Sequence, residues 1–441
     1  MIPKLHNEPG ATELAAQIAR GDLSALEATD DAIARIEALD GPINAVVVRD
    51  FERARDAARL VDARTVKGPL HGVPMTVKES FNIAGLKTTW GFDHARDFVA
   101  SEDAPTVRRL KEAGAVILGK TNVPVALWDL QSVNPIYGRT NNPHNLTRVP
   151  GGSSGGSAAV LASGMVPLEF GSDIGGSIRT PAHFCGVMGL KPTYGAITTD
   201  GHYFPRTEGA APVLSMTGPL AREARDLALA LDLTARVPMP PARHKGLKSV
   251  RILAIEDNPL CEADAPVAAA LRATADAAAD AGALVEHRSG LIPDREKLHR
   301  DYVKMLNIAV AGRFPPDGAP AVSAADWFAL LDEQAVMTRA WEALFADFDV
   351  ILTPVFGTTA FAHDAEPDLR KRTLMINGRA QPFAPQLSWI GIATYPGLPS
   401  VSVPVGSDGH LPIGIQVITP HWQDHRAIAI AGMLNEMMRE S

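Results

Sequence analysis

The sequence predicts a layered α/β fold. Two stretches carry the prediction. An amphipathic helix over Thr106 to Gly114 runs directly into an apolar strand, Ala115 to Leu118. Farther on the order reverses, with a strand over Ser249 to Ile255 and an alanine-rich helix over Ala265 to Gly282. Alternation of this kind buries a sheet under helices. The chain of 441 residues is 46% hydrophobic and 21% charged, enough apolar material for a large core and too much for a disordered chain.

The elements follow in order. Ser24-Ala-Leu-Glu27 has the capping-box pattern that opens a helix, and Leu26, Ile33 and Ile36 fall on one face of it. Gly41-Pro42 is expected to end it. A turn at Gly68 to Gly72 leads into Met75-Thr-Val-Lys78, read as a buried strand that finishes on a lysine. Asn134 to Pro150 is loop-like, and Gly151 to Ser157 is dominated by glycine and serine. A small-residue helix is expected over Ala158 to Ser163, then a strand over Pro167 to Phe170. Val237-Pro-Met-Pro-Pro241 is the best linker candidate. Residues of about 237–348 could therefore form an insert covering the substrate. Ala324 to Phe348 reads as helix and Val350 to Pro354 as strand, while Pro399 to Pro420 alternates strands with Pro/Gly turns. There is no internal repeat.

Several function classes are disfavoured. The net charge is −8 and no dense Lys/Arg patch exists, which argues against nucleic acid as a partner. The two cysteines, Cys185 and Cys261, are far apart and read as free thiols, in keeping with a reducing, cytoplasmic setting. The first ten residues have no apolar signal core. The most apolar stretch, Ala158 to Phe170, is broken by Ser163, Gly164 and Pro167 and falls short of the ~20 residues of a membrane span.

Two motif matches mislead. Gly114 to Thr121 fits the P-loop expression, but its middle residues, Ala-Val-Ile-Leu, should be strand rather than a phosphate-cradling loop. Gly151-Gly-Ser-Ser-Gly155 fits the nucleophile elbow, yet a Pro/Asn-rich loop precedes it where a strand is required. His183-Phe-Cys185 is too sparse for a metal site, and the sequence lacks H-E-x-x-H and S-x-x-K.

The informative stretch is Pro150 to Pro192. Its first Gly/Ser run alone would read as a linker. The second, Gly171-Ser-Asp-Ile-Gly-Gly-Ser-Ile-Arg179, follows a strand. Glycines there let several backbone N–H groups converge, and Ser177 stands beside them.

These blocks, with Cys185-Gly-Val-Met-Gly-Leu-Lys-Pro192 and the upstream His71-Gly-Val-Pro-Met-Thr-Val-Lys78, resemble the amidase signature family over nearly the whole chain. The resemblance implies a single α/β/α body around a central mixed β-sheet. It also implies hydrolysis of a linear amide C–N bond through an acyl-enzyme, without metal or organic cofactor. By it, Ser177 is the nucleophile, Ser153 the bridging serine, usually in a cis peptide, and Lys78 the base. The backbone of Ile174, Gly175, Gly176 and Ser177 maps to the oxyanion hole. The 24-residue separation of the two serines agrees with the family pattern. Asp173 and Arg179 read as braces. Glu79-Ser80, where many members have Asp-Asn, and Ser172, often threonine, depart from it.

The implied partner is a small or medium organic amide, with a homodimer possible. Trp128, Tyr137 and Phe204 are candidate substrate contacts and suggest an apolar or aromatic acyl group. The alternative is the catalytic subunit of a glutamine-dependent tRNA amidotransferase; the arginine-rich helix expected for glutamine recognition is not evident between residues 300 and 345.

Overall fold

A computed structural model describes residues 8–207, 209–210, 212–311 and 322–440. The start of the chain and part of the 300–345 stretch therefore lie outside the described residues. An 11-stranded mixed sheet forms the centre. Its spatial order begins β1 (Val46–Arg49), β3 (Val116–Thr121), β2 (Pro74–Lys78), β6 (Leu168–Asp173), β8 (Met216–Ala221) and β7 (Met188–Lys191). It continues through β14 (Ser400–Ser407), β15 (Pro412–Ile418), β11 (Val350–Pro354), β9 (Arg251–Ala254) and β10 (Leu284–Glu286). Strands β3, β2 and β6 are mutually parallel, as are β11, β9 and β10, and the other neighbours are antiparallel. Two hairpins stand apart, β4 (Val133–Asn134) with β5 (Gly138–Arg139) and β12 (Thr373–Ile376) with β13 (Arg379–Pro382). Strands beyond the Pro-rich break thus extend the same sheet.

Helices cover both faces, and the strands alternate accordingly. Met75, Val77, Ile117, Leu168 and Phe170 enter one core cluster, with the helices Pro105–Glu112, Ala224–Thr234 and Asp424–Glu440. Val116 and Leu118 enter a second on the opposite face, with the helices Ala25–Ile43, Phe51–Asp62 and Gly155–Ala162. Thr76, Lys78 and Glu169 alternate with the residues of the first cluster and so belong to the second face. The register pairs Thr76 with Glu169 and Lys78 with Thr121.

Two boundaries differ from expectation. The capping box at Ser24 forms, but the helix runs past Gly41-Pro42 to Ile43. Proline's fixed φ suits a helix, and near the end its missing N–H is less disruptive than at the centre. Asn44, at φ 58°, makes the stop, its N–H donating to the carbonyl of Asp40. Strand β6 continues three residues beyond Phe170, through Gly171-Ser-Asp173. Both cysteines are unpaired. Among the described residues no helix is long and apolar enough to cross a membrane.

Candidate active site

Lys78 is the last residue of β2 and is fully buried. Its Nζ lies 2.7 Å from Ser153 Oγ and 2.8 Å from Ser172 Oγ. Burial drives its pKa down, partly offset by the charges of Asp173 and Glu169, and it settles at about 7. A group that is an ammonium in water can therefore be a neutral amine here.

Ser153 is presented from just before the helix Gly155–Ala162, through a cis Gly152–Ser153 peptide. Gly152 has no room for a side chain: a Cβ would stand 2.3 Å from the carbonyl oxygen of Asp129. Ser154 fixes which of the neighbouring serines faces the lysine. Its N–H donates to the Ser177 carbonyl at 3.0 Å, and its hydroxyl donates to the Ser172 carbonyl at 3.3 Å. Ser154 thus clamps the segment to β6, and Ser153 points at Lys78. The elbow reading of this segment has no strand before it here either.

Ser177 sits in the turn between β6 and the helix Arg179–Cys185. It is 4% exposed, and among the described residues its hydroxyl makes no hydrogen bond. The turn is built around Asp173, whose carboxylate accepts from the N–H groups of Gly176 at 2.9 Å, Ile178 at 3.1 Å and Arg179 at 3.3 Å. Gly176 is therefore a poor member of the expected oxyanion hole, because its N–H is already committed. The N–H groups of Ile174, Gly175 and Ser177 carry no such commitment among the described residues. Gly176 instead serves the bend, at φ +91°, where a Cβ would lie 2.3 Å from Ile390 Cδ1.

Arg179 braces the turn from beneath, fully buried. It donates from Nε and Nη2 to Asp173 at 3.0 Å each, and reaches Ile390 O, Gln416 Oε1 and Thr394 Oγ1. Burial alone would raise the Asp173 pKa, but the guanidinium and the N–H groups bring it down to about 2. Since that lies below the unfolded value, the carboxylate's contribution to stability is complete above about pH 4 and lost as pH falls through about 2. Asp173→Asn would leave a buried guanidinium without its counter-charge. It is expected to lower unfolding stability by about 3–5 kcal/mol, read by urea denaturation.

A cavity of about 810 Å³ reaches the centre only through its second layer: none of Lys78, Ser153 or residues 174–177 lines it. Its walls include Val125, Trp128, Asp129, Gln131, Asn307 and Val310. Asp129 and Gln131 pack on Gly152, and Asn307 and Val310 share the helix Arg295–Ala311 with Leu306, which approaches Gly175. Of the candidate substrate contacts, Trp128 lines the cavity and Tyr137 and Phe204 do not. Tyr137 donates its hydroxyl to Glu79 at 3.2 Å, and Phe204 stacks on Trp90. The far wall comes from residues 363–372, tied to the near one by Arg372, which donates to both carboxylate oxygens of Asp129 at 2.7 and 2.8 Å. Sequence reasoning missed this wall, and it missed Ser172 as a partner of Lys78. The parallel pairing of β2 with β6 was the available signal for Ser172. Among the described residues no group of three or more His, Cys, Asp or Glu is placed to hold a metal ion.

The arrangement offers a base that can be neutral, a hydroxyl against it, a second hydroxyl in a turn with unengaged N–H groups, and a cavity alongside. Known proteins resemble the chain along most of its length. The amidase family profile matches residues 27–314 and 316–428. AtzE, the 1-carboxybiuret hydrolase subunit of Pseudomonas sp. (strain ADP), is 32% identical, with 96% of this chain and 97% of that protein covered. A glutamyl-tRNA(Gln) amidotransferase subunit of Moorella thermoacetica is also 32% identical, with 92% of each covered. The solved structure of 6-aminohexanoate cyclic dimer hydrolase with its substrate superposes with a TM-score of 0.84 at 27% identity, covering 98% of this chain and 97% of that one. The chain belongs to the amidase signature family.

Proposed function

We propose that the protein hydrolyses a small or medium organic amide to a carboxylate and an amine or ammonia, through an acyl-enzyme on Ser177. The observation that carries this reading is the buried Lys78 amine, 2.7 Å from Ser153 Oγ and held at about 7. A neutral amine can accept a proton through that contact. Ser153 passes its proton to Lys78 and takes one from Ser177, because a hydroxyl donates and accepts at once. The Ser177 oxygen attacks the carbonyl carbon. The N–H groups of Ile174, Gly175 and Ser177 receive the developing oxyanion, each worth about 3 kcal/mol in comparable sites. The proton then returns through Ser153 to the nitrogen, the C–N bond breaks and the amine leaves. Water attacks the acyl-enzyme by the same relay and releases the acid.

The reading is tested by labelling with a fluorophosphonate and mapping the modified peptide by mass spectrometry. Label on Ser177 supports it, and label on Ser153 overturns the assignment. We place the acyl group in the cavity lined by Trp128. Trp128→Ala is then expected to raise KM for aryl-acyl amides about tenfold, the effect of roughly 1.4 kcal/mol of lost apolar contact, with a smaller change in kcat. An equal effect on acetamide-sized substrates would remove Trp128 from the acyl site.

The likeness to the amidotransferase subunit favours a second reading, in which the same residues release ammonia from glutamine within an assembly. Hydrolysis of simple amides by the purified chain supports the first reading. Activity confined to glutamine and dependent on a partner supports the second.

A further inference from the structure

The proposed relay leaves one buried carboxyl unused. Glu169 is the second residue of β6, between Leu168 and Phe170, and is fully buried. Among the described residues it has no ion-pair partner within 4 Å. An acid in a central strand without a cation is costly, so its surroundings must compensate. Thr121 Oγ1 donates to its Oε1 at 2.8 Å, and the Phe170 N–H meets its Oε2 at 2.8 Å. Thr121 Oγ1 also lies 3.0 Å from Ser157 Oγ. Thr121 is the register partner of Lys78, and Ser157 stands four residues after Ser153 on the segment that presents it. The helix Gly155–Ala162 is therefore pinned to one sheet face twice, by Ser153 on Lys78 and by Ser157 through Thr121 on Glu169.

We propose that Glu169 is a positioning residue for the Ser153–Lys78 pair, acting through the Thr121 and Ser157 hydroxyls and through its charge on the base's own face of the sheet. The inference rests on the assignment of Lys78 as base. The charged groups around that base leave room for such a role. Asp173 also acts on Lys78, but it is saturated by Arg179 and three N–H groups, and Lys191 lies near enough to influence it. His202, the remaining titratable neighbour, is held neutral by burial and by Lys78. Glu169 is the carboxyl on the amine's face of the sheet, close enough for its charge to act on Lys78, without a guanidinium of its own. Burial pushes its pKa up, to about 7, against the hydrogen bonds it accepts.

A carboxylate near Lys78 favours the ammonium form, so removing it should free the amine at lower pH. In Glu169→Gln the acidic limb of the kcat/KM profile is expected to move down, by less than a permanent carboxylate would give because Glu169 itself titrates at about 7. Thr121→Val keeps the carboxyl but cuts the link, and should lower kcat about tenfold or more at unchanged KM. An unmoved limb in folded Glu169→Gln overturns the proposal, as does wild-type kcat in Thr121→Val. If Glu169→Gln does not fold, Glu169→Asp provides the readout: its carboxyl falls one methylene short of Thr121, and wild-type kcat with an unmoved limb overturns the proposal. Lys78→Met is run in parallel. Activity retained there defeats the assignment of the base; activity lost there with an unmoved limb in Glu169→Gln defeats only the role of Glu169.

Discussion

Ser177→Ala is expected to lower kcat by about 10⁴–10⁶-fold, while the protein folds and melts as the wild type does. The two halves of this expectation have separate causes. Chemically, the hydroxyl is the only part of the side chain that the proposed reaction uses, and alanine has no atom that can be acylated. Structurally, the Ser177 hydroxyl makes no hydrogen bond among the described residues, so its removal strands no partner. The backbone of the turn is held by Asp173 and not by the serine side chain. The checks are steady-state kinetics on a reactive anilide, thermal denaturation, and loss of fluorophosphonate labelling. Activity within tenfold of wild type would sink the assignment. A large drop in melting temperature would show that the hydroxyl has a structural duty.

The second large effect is expected from Lys78→Met, and it runs in opposite directions for activity and stability. Activity should fall by about 10²–10⁴-fold, the usual contribution of a positioned base, and should not recover on raising the pH. The wild-type profile should itself decline as pH falls through about 7, where the amine becomes an ammonium that cannot accept a proton. Stability should rise. The folded-state pKa, about 7, lies below the unfolded value near 10.4, so between them the folded chain binds fewer protons and wild-type stability climbs with pH. Below about 7 the penalty of burying the charge applies in full. Methionine fills similar volume without that penalty. The variant should therefore be about 1–4 kcal/mol more stable at pH 6, with the advantage shrinking toward pH 10. Urea titrations of both proteins across that range would measure it; a destabilised variant at pH 6 would mean that the ammonium is well compensated in its site.

Much of this was readable in the sequence because it is local. The capping box at Ser24, the apolar run ending at Lys78, and the strand before Ser177 each depend on neighbours a few residues away. The order of Lys78, Ser153 and Ser177 could be read through the family resemblance. What escaped depends on distant partners. Gly176 looked like an oxyanion donor because its N–H could be free, and only the folded turn shows Asp173 taking it. The cavity wall joins Asp129 to Arg372 across the chain, and no spacing rule links those positions. Tyr137 and Phe204 were aromatic and near the right segments, and their contacts with Glu79 and Trp90 could not be read from the sequence. That β9 and β10, beyond the Pro-rich break at 237–241, pair into the common sheet was equally hidden, because parallel pairing is indifferent to sequence distance.

The separate origin of the cavity walls and the reactive groups has a consequence for diversification. Lys78 and Ser172 stand on neighbouring central strands, and the turn of Ser177 is anchored through Arg179 to the C-terminal third of the chain. The walls come largely from the loops around Val125 and His363 and from one helix face. Under the proposed function, exchanges in the walls are expected to reshape which acid is accepted and leave the proposed hydrolytic apparatus in register. The Asp129–Arg372 clasp is the exception, since it pulls on the same loop that packs against Gly152. A library of wall variants that spares this pair should retain turnover while scattering in substrate preference, and one that includes it should yield mostly inactive clones.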